Sequence, residues 1–243
     1  GGAEDALLRG APDDVILALE SFPRDVLSNS DGSRDRIPEL LVEALYETSR
    51  WEDGLRIAVD HSQTPAASVF RMFAIEANWH LGRLSEAEQR QHIDELLQIG
   101  CTEPASAGRA IALGAFMAGG LRDETLVQYV ESRLRNIPDP PSPSDCARVL
   151  MARANLAFYR RKLDEGEHAA TQARQILDEI GAVNTVAVRL EIGLSVFRIA
   201  RGDYHTAYDH LVEAIRLGRR IDNHNLTSLA SGNAALACLR LGR

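Results

Sequence analysis

The stretch GDYHTAYDHLVEAI (202–215) combines a glycine, an aromatic residue two positions later and alanines at helical spacing. Glycine tolerates the positive φ that a tight turn between two helices requires. After it, apolar side chains recur at intervals of three and four residues, which is the period of an α-helix. The stretch therefore predicts a helical hairpin that turns at Gly202.

The same turn pattern recurs along the chain. It is seen at RGAPDDV (9–15), TSRWEDG (48–54), LGRLSEA (81–87), GGLRDET (119–125) and RRKLDEG (160–166), and LGR (241–243) repeats its opening. The markers of the turns are Gly10, Ser49, Gly82, Gly119, Arg161, Gly202 and Gly242. Successive markers are separated by intervals in the thirties and low forties. A period of this size indicates an all-α superhelical solenoid of about six antiparallel helix pairs, forming one domain over residues 1–243.

Two positions after the marker keep their character in most repeats. The second residue is large and apolar (Trp51, Leu84, Leu121, Leu163, Tyr204), and the fifth is small (Gly54, Ala87, Gly166, Ala207). The repeat marked by Gly119 departs, because Glu124 occupies its small-residue position, and we expect that unit to be splayed or shifted in register. The longest break, PDPPSPSD (138–145), predicts an enlarged loop inside the domain, with a domain linker as the alternative.

A turn of the form Gly-x-(aromatic or Leu), followed by x-x-Ala and a second alanine seven residues later, resembles the tetratricopeptide repeat. That resemblance implies a right-handed superhelix. Most of the intervals are longer than the repeat of that family, which has about 34 residues. They are similar to those of the sensor domains of large ATP-dependent LuxR-family transcription activators of the maltose-activator type. The phrase ALESFPRDVLSN (18–29) also resembles the segment that leads into such domains.

Both ends of the sequence fit a piece of a longer chain. It begins after most of a first helix and stops at LGR (241–243), where the second helix of a pair is due. A solenoid normally closes with a polar capping helix, and none is visible here. In the LuxR-type group, the resemblance implies an ATP-binding domain before this segment and a helix-turn-helix domain after it. The uncapped end also offers a surface for self-association.

Composition limits the partners that we expect. The chain of 243 residues has a formal net charge of −8, whereas binding to a phosphate backbone relies on an excess of Lys and Arg. No run approaches 18 apolar residues, so we expect no membrane span and a cytoplasmic location. The three scattered cysteines, Cys101, Cys146 and Cys238, do not form a disulfide framework.

The motifs that carry common chemistries are absent from the sequence. There is no GxxxxGK(S/T) loop, no GxGxxG after a strand and no GxSxG nucleophile elbow. The seven histidines lack metal-ligand spacing, since His205 and His210 point to different sides of a helix. We therefore expect no catalytic residue, no metal and no cofactor.

One feature suggests a binding surface. Three residues before the markers stand Tyr46, Trp79, Phe116 and Phe158, an aromatic residue in four consecutive repeats. In the tetratricopeptide family the first helix of each pair lines the concave groove, and the resemblance puts these positions near it. Nearby polar residues are Glu43, Glu76, His80, Arg109, Arg148, Asn155, Tyr159 and Arg189. The alternative is that the aromatic side chains only pack between adjacent helices, where large side chains are favoured by burial.

These observations favour a non-catalytic domain that senses a small-molecule inducer, or binds a protein or peptide, within a bacterial transcription regulator. In the groove, aromatic residues would hold an apolar group and arginines a carboxylate or phosphate. A stand-alone tetratricopeptide adaptor that binds peptide segments is the main alternative. The repeat portion of an enzyme whose catalytic domain lies elsewhere is a third.

Overall fold

The computed structural model describes residues 2–20, 36–63, 67–103, 106–135 and 142–242. These residues form helices and turns, with no β-strand among them, which confirms the prediction of an all-α chain for this part of the sequence. The helices are α1 (Gly2–Leu8), α2 (Pro12–Glu20), α3 (Arg36–Glu47), α4 (Trp51–Asp60), α5 (Ala67–His80), α6 (Glu86–Thr102), α7 (Ala107–Gly120), α8 (Glu124–Leu134), α9 (Pro143–Tyr159), α10 (Leu163–Glu179), α11 (Thr185–Ala200), α12 (Tyr204–Arg220) and α13 (His224–Arg240). None of these described helices combines the length and the apolar character needed to cross a membrane.

Short polar side chains fix where several helices begin. Ser85 and Glu88 form a reciprocal capping box at the start of α6. Asp123 accepts backbone hydrogen bonds at the start of α8, and Ser142 does so at the start of α9, directly before Pro143. These side chains satisfy amide groups that the first helical turn leaves without a partner. The first three residues of α9 therefore follow from the local sequence SPSD (142–145).

Six of the seven predicted marker residues have positive φ. The prediction of the fourth marker, Gly119, is wrong. Gly119 lies inside α7, and the residue with positive φ is Arg122, at 53°. Gly119 is needed for packing instead, because a Cβ there would lie 2.1 Å from Cε2 of Tyr159. In the corrected register the small-residue position is taken by Val127, which is buried, and not by Glu124. The unit is therefore shifted by three residues.

Parts of two sequence predictions lie outside the described residues. Residues 138–141 of the predicted enlarged loop are among them, although 142–145 already belong to the cap and first turn of α9. Residues 21–29 of the phrase at 18–29 are also outside. The described chain resumes at Arg36, where α3 begins.

Every described helix packs against the next described helix along the chain, and this order produces successive hairpins. Most first helices also contact the first helix of the following hairpin, as α3 does with α5, α7 with α9, α9 with α11 and α11 with α13; the pair α5 and α7 does not share a comparable contact. The apolar side chains form three clusters, around Leu45, Leu96 and Leu190. Each cluster draws residues from several neighbouring helices, so each hairpin buries its apolar face against the next.

The amino-terminal hairpins also contact the carboxy-terminal ones directly. The backbone amide of Val183 donates a 2.7 Å hydrogen bond to the carbonyl of Leu8. The Arg220 side chain donates to the carbonyl of Arg9 at 2.9 Å. Both bonds join segments that are far apart in the sequence. As a result, the first helices of distant hairpins face one another and enclose cavities between them.

Candidate functional site

Charged residues from four first helices, α1, α3, α7 and α9, line one cavity of about 280 Å³, which we call the charged cavity. Its central charged residues are Glu43 and Glu47 from α3, Arg109 from α7, and Asp145 and Arg148 from α9. All of these except Asp145 project from positions within helices that the apolar pattern predicted. Helix packing therefore brings together charges that are far apart in the sequence.

Arg109 is held by carboxylates and by aromatic rings. Its Nε donates a 3.0 Å hydrogen bond to Oε2 of Glu76, and its Nη1 lies 3.7 Å from Oε1 of Glu43. Its guanidinium carbon lies 4.4 Å from the centroid of the Phe73 ring. Burial lowers the pKa of Arg109, but the negative charges of Glu76 and Glu43 have the larger opposite effect. The pKa of Arg109 is therefore raised. Burial raises the pKa of Glu76, but the positive charge of Arg109 contributes to a larger opposite effect. The pKa of Glu76 is therefore lowered.

Arg148 is the second cation of the charged cavity. Its Nη1 lies 3.3 Å from Oδ1 of Asp145 and donates to Oγ of Ser144 at 3.2 Å. Its Nη2 lies 3.7 Å from the same Oε1 of Glu43 that faces Arg109. Both distances to Glu43 exceed that of an ordinary hydrogen bond, so Glu43 interacts with the two arginines mainly through charge. The arginines thus keep donors that point into the cavity.

Glu47 links α3 to the start of α11. Its carboxylate accepts a 2.6 Å hydrogen bond from the backbone amide of Thr185 and a 3.1 Å bond from the hydroxyl of Thr185. Thr185 is the first residue of α11, where the helix dipole favours a negative charge. Burial nevertheless raises the pKa of Glu47 above its usual value. This residue is a structural tie between distant hairpins as well as a wall of the cavity.

A second group lies next to the charged cavity, around His80 and Arg189. Nη2 of Arg189 lies 3.2 Å from Nε2 of His80, and the His80 ring stacks on Trp51 with 4.1 Å between centroids. Burial, together with the charge of Arg189, lowers the pKa of His80 to about 4. His80 is therefore neutral at neutral pH and accepts a hydrogen bond from Arg189. The guanidinium carbon of Arg189 also lies 5.4 Å from the centroid of Phe116.

Arg189 opens on its other side to a larger, mainly apolar cavity of about 370 Å³, which we call the aromatic pocket. Its walls come from the first helices α7, α9, α11 and α13, with Ala170 from α10. Phe158 and Phe197 meet edge to face there, with 5.7 Å between ring centroids. The principal lining residues are Phe116, Phe158, Tyr159, Arg189, Phe197 and Leu226.

The residues predicted from the sequence divide between these cavities, with one exception. Arg109 and Arg148 line the charged cavity, and Trp79 and His80 line a small space of about 40 Å³ beside it. Phe116, Asn155, Phe158, Tyr159 and Arg189 line the aromatic pocket. Tyr46 lines none of these three cavities. It is 1% exposed, and it packs against Trp51 of its own hairpin and against Phe73 of the next one, while Gly54 leaves space for its ring.

Several lining residues escaped the sequence analysis. Glu47 ends an otherwise apolar helical face, and an acidic residue in the last turn runs against the helix dipole, so this signal was available. Phe197 and Leu226 carry no such signal, because their spacing fits an ordinary apolar stripe. Asn155 is half-buried, and its Oδ1 has no hydrogen-bond partner among the described residues.

The described residues contain no group of three or more His, Cys, Asp or Glu arranged to hold a metal ion. In the aromatic pocket, the guanidinium of Arg189 beside aromatic walls suits the binding of an anion with an apolar part, whereas the charged cavity is lined by more carboxylates than guanidinium groups. Comparison with known proteins adds no assignment to this geometry. No protein-family model matches the chain, and no curated protein matches it.

Proposed function

We propose that the chain is a right-handed, tetratricopeptide-like solenoid of about six helix pairs that acts as a non-catalytic, ligand-binding domain in the cytoplasm. The positive-φ turns that follow first helices recur at nearly regular spacing and support the repeat, from Gly10, Ser49 and Gly82 through Arg122 to Arg161, Gly202 and Gly242. Gly181 and Asp222 also have positive φ, but they follow second helices. Contacts between first helices of successive hairpins support the solenoid. The right-handedness of the superhelix is taken from the resemblance to the tetratricopeptide repeat.

The convergence of distant side chains on adjoining cavities is the observation that carries ligand binding. Arg109, Arg148 and Arg189 stand on three different helices, yet each lines at least one of these spaces. The volume of the aromatic pocket, about 370 Å³, lies within the range of small-molecule sites. A small-molecule inducer therefore fits this geometry better than a long peptide laid along an open groove.

The wider role that we propose is signal sensing in a bacterial transcription regulator of the ATP-dependent LuxR type. It rests on the long repeat interval and on the resemblance of the sequence to such sensor domains. The complete gene provides the test. A phosphate-binding-loop domain upstream and a helix-turn-helix domain downstream would support the regulator, whereas native ends near residues 1 and 243 would contradict it.

A stand-alone adaptor that binds a peptide segment is the second candidate. The rim of the aromatic pocket favours it, because Leu229 is 51% exposed and Tyr159 is 40% exposed. Exposed apolar side chains beside a pocket are a feature of peptide-binding surfaces. The two candidates differ in the length of the ligand.

A thermal-shift screen separates them. The protein is melted with a library of small metabolites, and then with a library of short peptides. Ligands that bind the folded state raise the melting temperature increasingly as their concentration exceeds Kd. Stabilisation by metabolites supports the sensor, and stabilisation by peptides alone supports the adaptor. If neither library shifts the melting temperature, the ligand-binding proposal fails.

Variants then locate the site of any hit. Arg148→Gln removes a cation of the charged cavity, and Arg135→Gln, at an exposed position, is the matched control. We expect Arg148→Gln to weaken anionic hits that use the charged cavity, with Arg135→Gln unchanged. Melting of the variants without ligand shows whether each remains folded.

A further inference from the structure

The aromatic pocket contains an arginine whose charge the fold offsets only from a distance, through Glu76 and Glu47. Arg189 forms no ion pair with a carboxylate within the described ranges, in contrast to Arg109 and Arg148, which are paired with Glu76 and Asp145. Its hydrogen-bond neighbour is His80, a neutral ring, and its other neighbour is the face of Phe116. An arginine has five N–H donors, so most of those of Arg189 remain available.

The surroundings of Arg189 make an anion favourable there. Burial lowers the pKa of Arg189 below its usual value, so the fold destabilises its charged form. Glu76 and Glu47 oppose this effect without outweighing it. A carboxylate bound to the guanidinium would add an opposite charge in direct contact, through short, charge-assisted hydrogen bonds. One unpaired guanidinium matches one negative charge, which favours a monoanion over a phosphate dianion.

The rest of the pocket is suited to a hydrocarbon. Phe116, Phe158, Phe197 and Leu226 form its walls, and Leu229 stands at its exposed edge. Phe158 and Phe197 fix each other edge to face, so the walls exist before a ligand arrives. A preformed apolar wall beside a single cation selects a molecule with an apolar body and one acidic end.

We infer that the aromatic pocket binds a small monocarboxylic acid with an aromatic or aliphatic body, whose carboxylate pairs with Arg189 and whose body packs between Phe116, Phe158 and Phe197. This inference rests on the proposed ligand-binding function and names its ligand class and subsite. The charged cavity is a separate subsite, which this ligand does not need to occupy.

The test compares acids with neutral molecules of the same shape. Binding of 3-phenylpropionate and octanoate to the intact chain is measured by isothermal titration calorimetry near neutral pH, with 3-phenylpropionamide and octanamide as neutral analogues. A charge-assisted pair with Arg189 predicts that each acid binds about tenfold more tightly than its amide, or better. Equal affinities, or no binding of either acid, would overturn the inference.

Two pairs of variants connect the result to the pocket. Arg189→Gln should abolish the preference for acid over amide, whereas Arg189→Lys should retain part of it. Leu229→Asp places a negative charge at the pocket edge and should weaken the acids about tenfold or more, and it is expected to fold because Leu229 is 51% exposed. Leu239→Asp, on the same helix at a position 73% exposed and away from the pocket, should bind as the original protein does.

The outcomes distinguish this inference from the proposed function. If Leu229→Asp and Leu239→Asp bind the acids equally well, the pocket assignment is wrong. If a ligand from the metabolite screen loses affinity with Arg148→Gln and keeps it with Leu229→Asp and Arg189→Gln, while the two acids fail to bind, ligand binding stands and the carboxylate pocket does not.

Discussion

The side-chain amide of Asn223 donates a 2.6 Å hydrogen bond to the backbone carbonyl of Glu47, far earlier in the chain. The same side chain caps α13 by accepting a bond from the amide of Leu226 at 2.9 Å. Asn223 is 1% exposed, so neither bond can be replaced readily by water. One buried residue therefore both starts a helix and joins the two halves of the chain.

Asn223→Ala should destabilise the fold more than the loss of a cap alone. Loss of the cap costs about 1 kcal/mol. The buried carbonyl left without a donor adds about 1–3 kcal/mol. Asp203→Ala is the matched control, because Asp203 caps α12 without a contact of this range. Urea unfolding of both variants measures the difference, and equal losses would show that the long-range bond contributes nothing.

Gly54→Ala should destabilise the amino-terminal half. A Cβ at this position would lie 2.2 Å from Cε1 of Tyr46, whose ring is buried and cannot move aside easily. Overpacking of this kind costs about 1–3 kcal/mol. In contrast, Gly232→Ala meets no atom within 4 Å on an exposed part of α13 and should stabilise the protein by up to about 1 kcal/mol. Calorimetric melting that ranks the two variants in the opposite order would contradict this packing.

Arg122→Gly tests the position of the fourth turn. Arg122 is exposed and has a φ of 53°, a conformation that costs about 1–2 kcal/mol for a residue with a Cβ. Glycine relieves this strain. Because glycine also loses more conformational entropy on folding, part of the stabilisation is offset, and we expect a net stabilisation of about 0.5–1 kcal/mol. Arg153→Gly, at an exposed position inside α9, should instead lose about 1 kcal/mol. If both substitutions destabilise the protein, the conclusion that the fourth turn lies at Arg122 is wrong.

His80 should make the fold sensitive to mild acid. Its pKa is about 4 in the folded protein and 6.5 in its reference state, so between these values the unfolded chain binds a proton that the folded chain does not. Stability is therefore lost as the pH falls from 6.5 to 4, by up to about 3 kcal/mol for the full shift.

The pH dependence is measured by urea unfolding across this range. His80→Gln should reduce the slope of the curve, because glutamine takes up no proton, while His92, whose pKa is also lowered by burial, retains part of the slope. His224→Gln, at a side chain 86% exposed, is the control and should leave the curve unchanged. A curve that keeps its slope in His80→Gln would assign the sensitivity to other groups.

The sequence was informative wherever structure depends on neighbours in the chain. The helical period predicted helices, and the local sequence SPSD (142–145) accounts for the start of α9. The fourth turn was misplaced because Gly119, which looks like the other markers, is required for contact with Tyr159 and not for backbone conformation. The sequence does not distinguish a glycine required for its backbone conformation from one required for close packing.

The site was harder to predict, because it depends on how the hairpins are arranged relative to one another. Arg109, Arg148 and Arg189 were named from the sequence because they lie toward the starts of first helices. The sequence could not show that Glu47 meets Thr185, since that contact depends on how distant hairpins lie relative to one another. Tyr46 and Phe158 occupy the same position in their repeats. The Tyr46 ring is nevertheless buried in the core, where the absence of a Cβ at Gly54 leaves space for it.

The stacking of His80 on Trp51 gives the protein an optical property. The chain has two tryptophans, and the ring centroid of the second, Trp79, lies 4.8 Å from that of the same imidazole. Indole emission depends on the charges near the ring, and His80 connects both indoles to the guanidinium of Arg189. Engagement of that cation by a bound acid should therefore alter the intrinsic fluorescence, so occupancy can be followed in unlabelled protein.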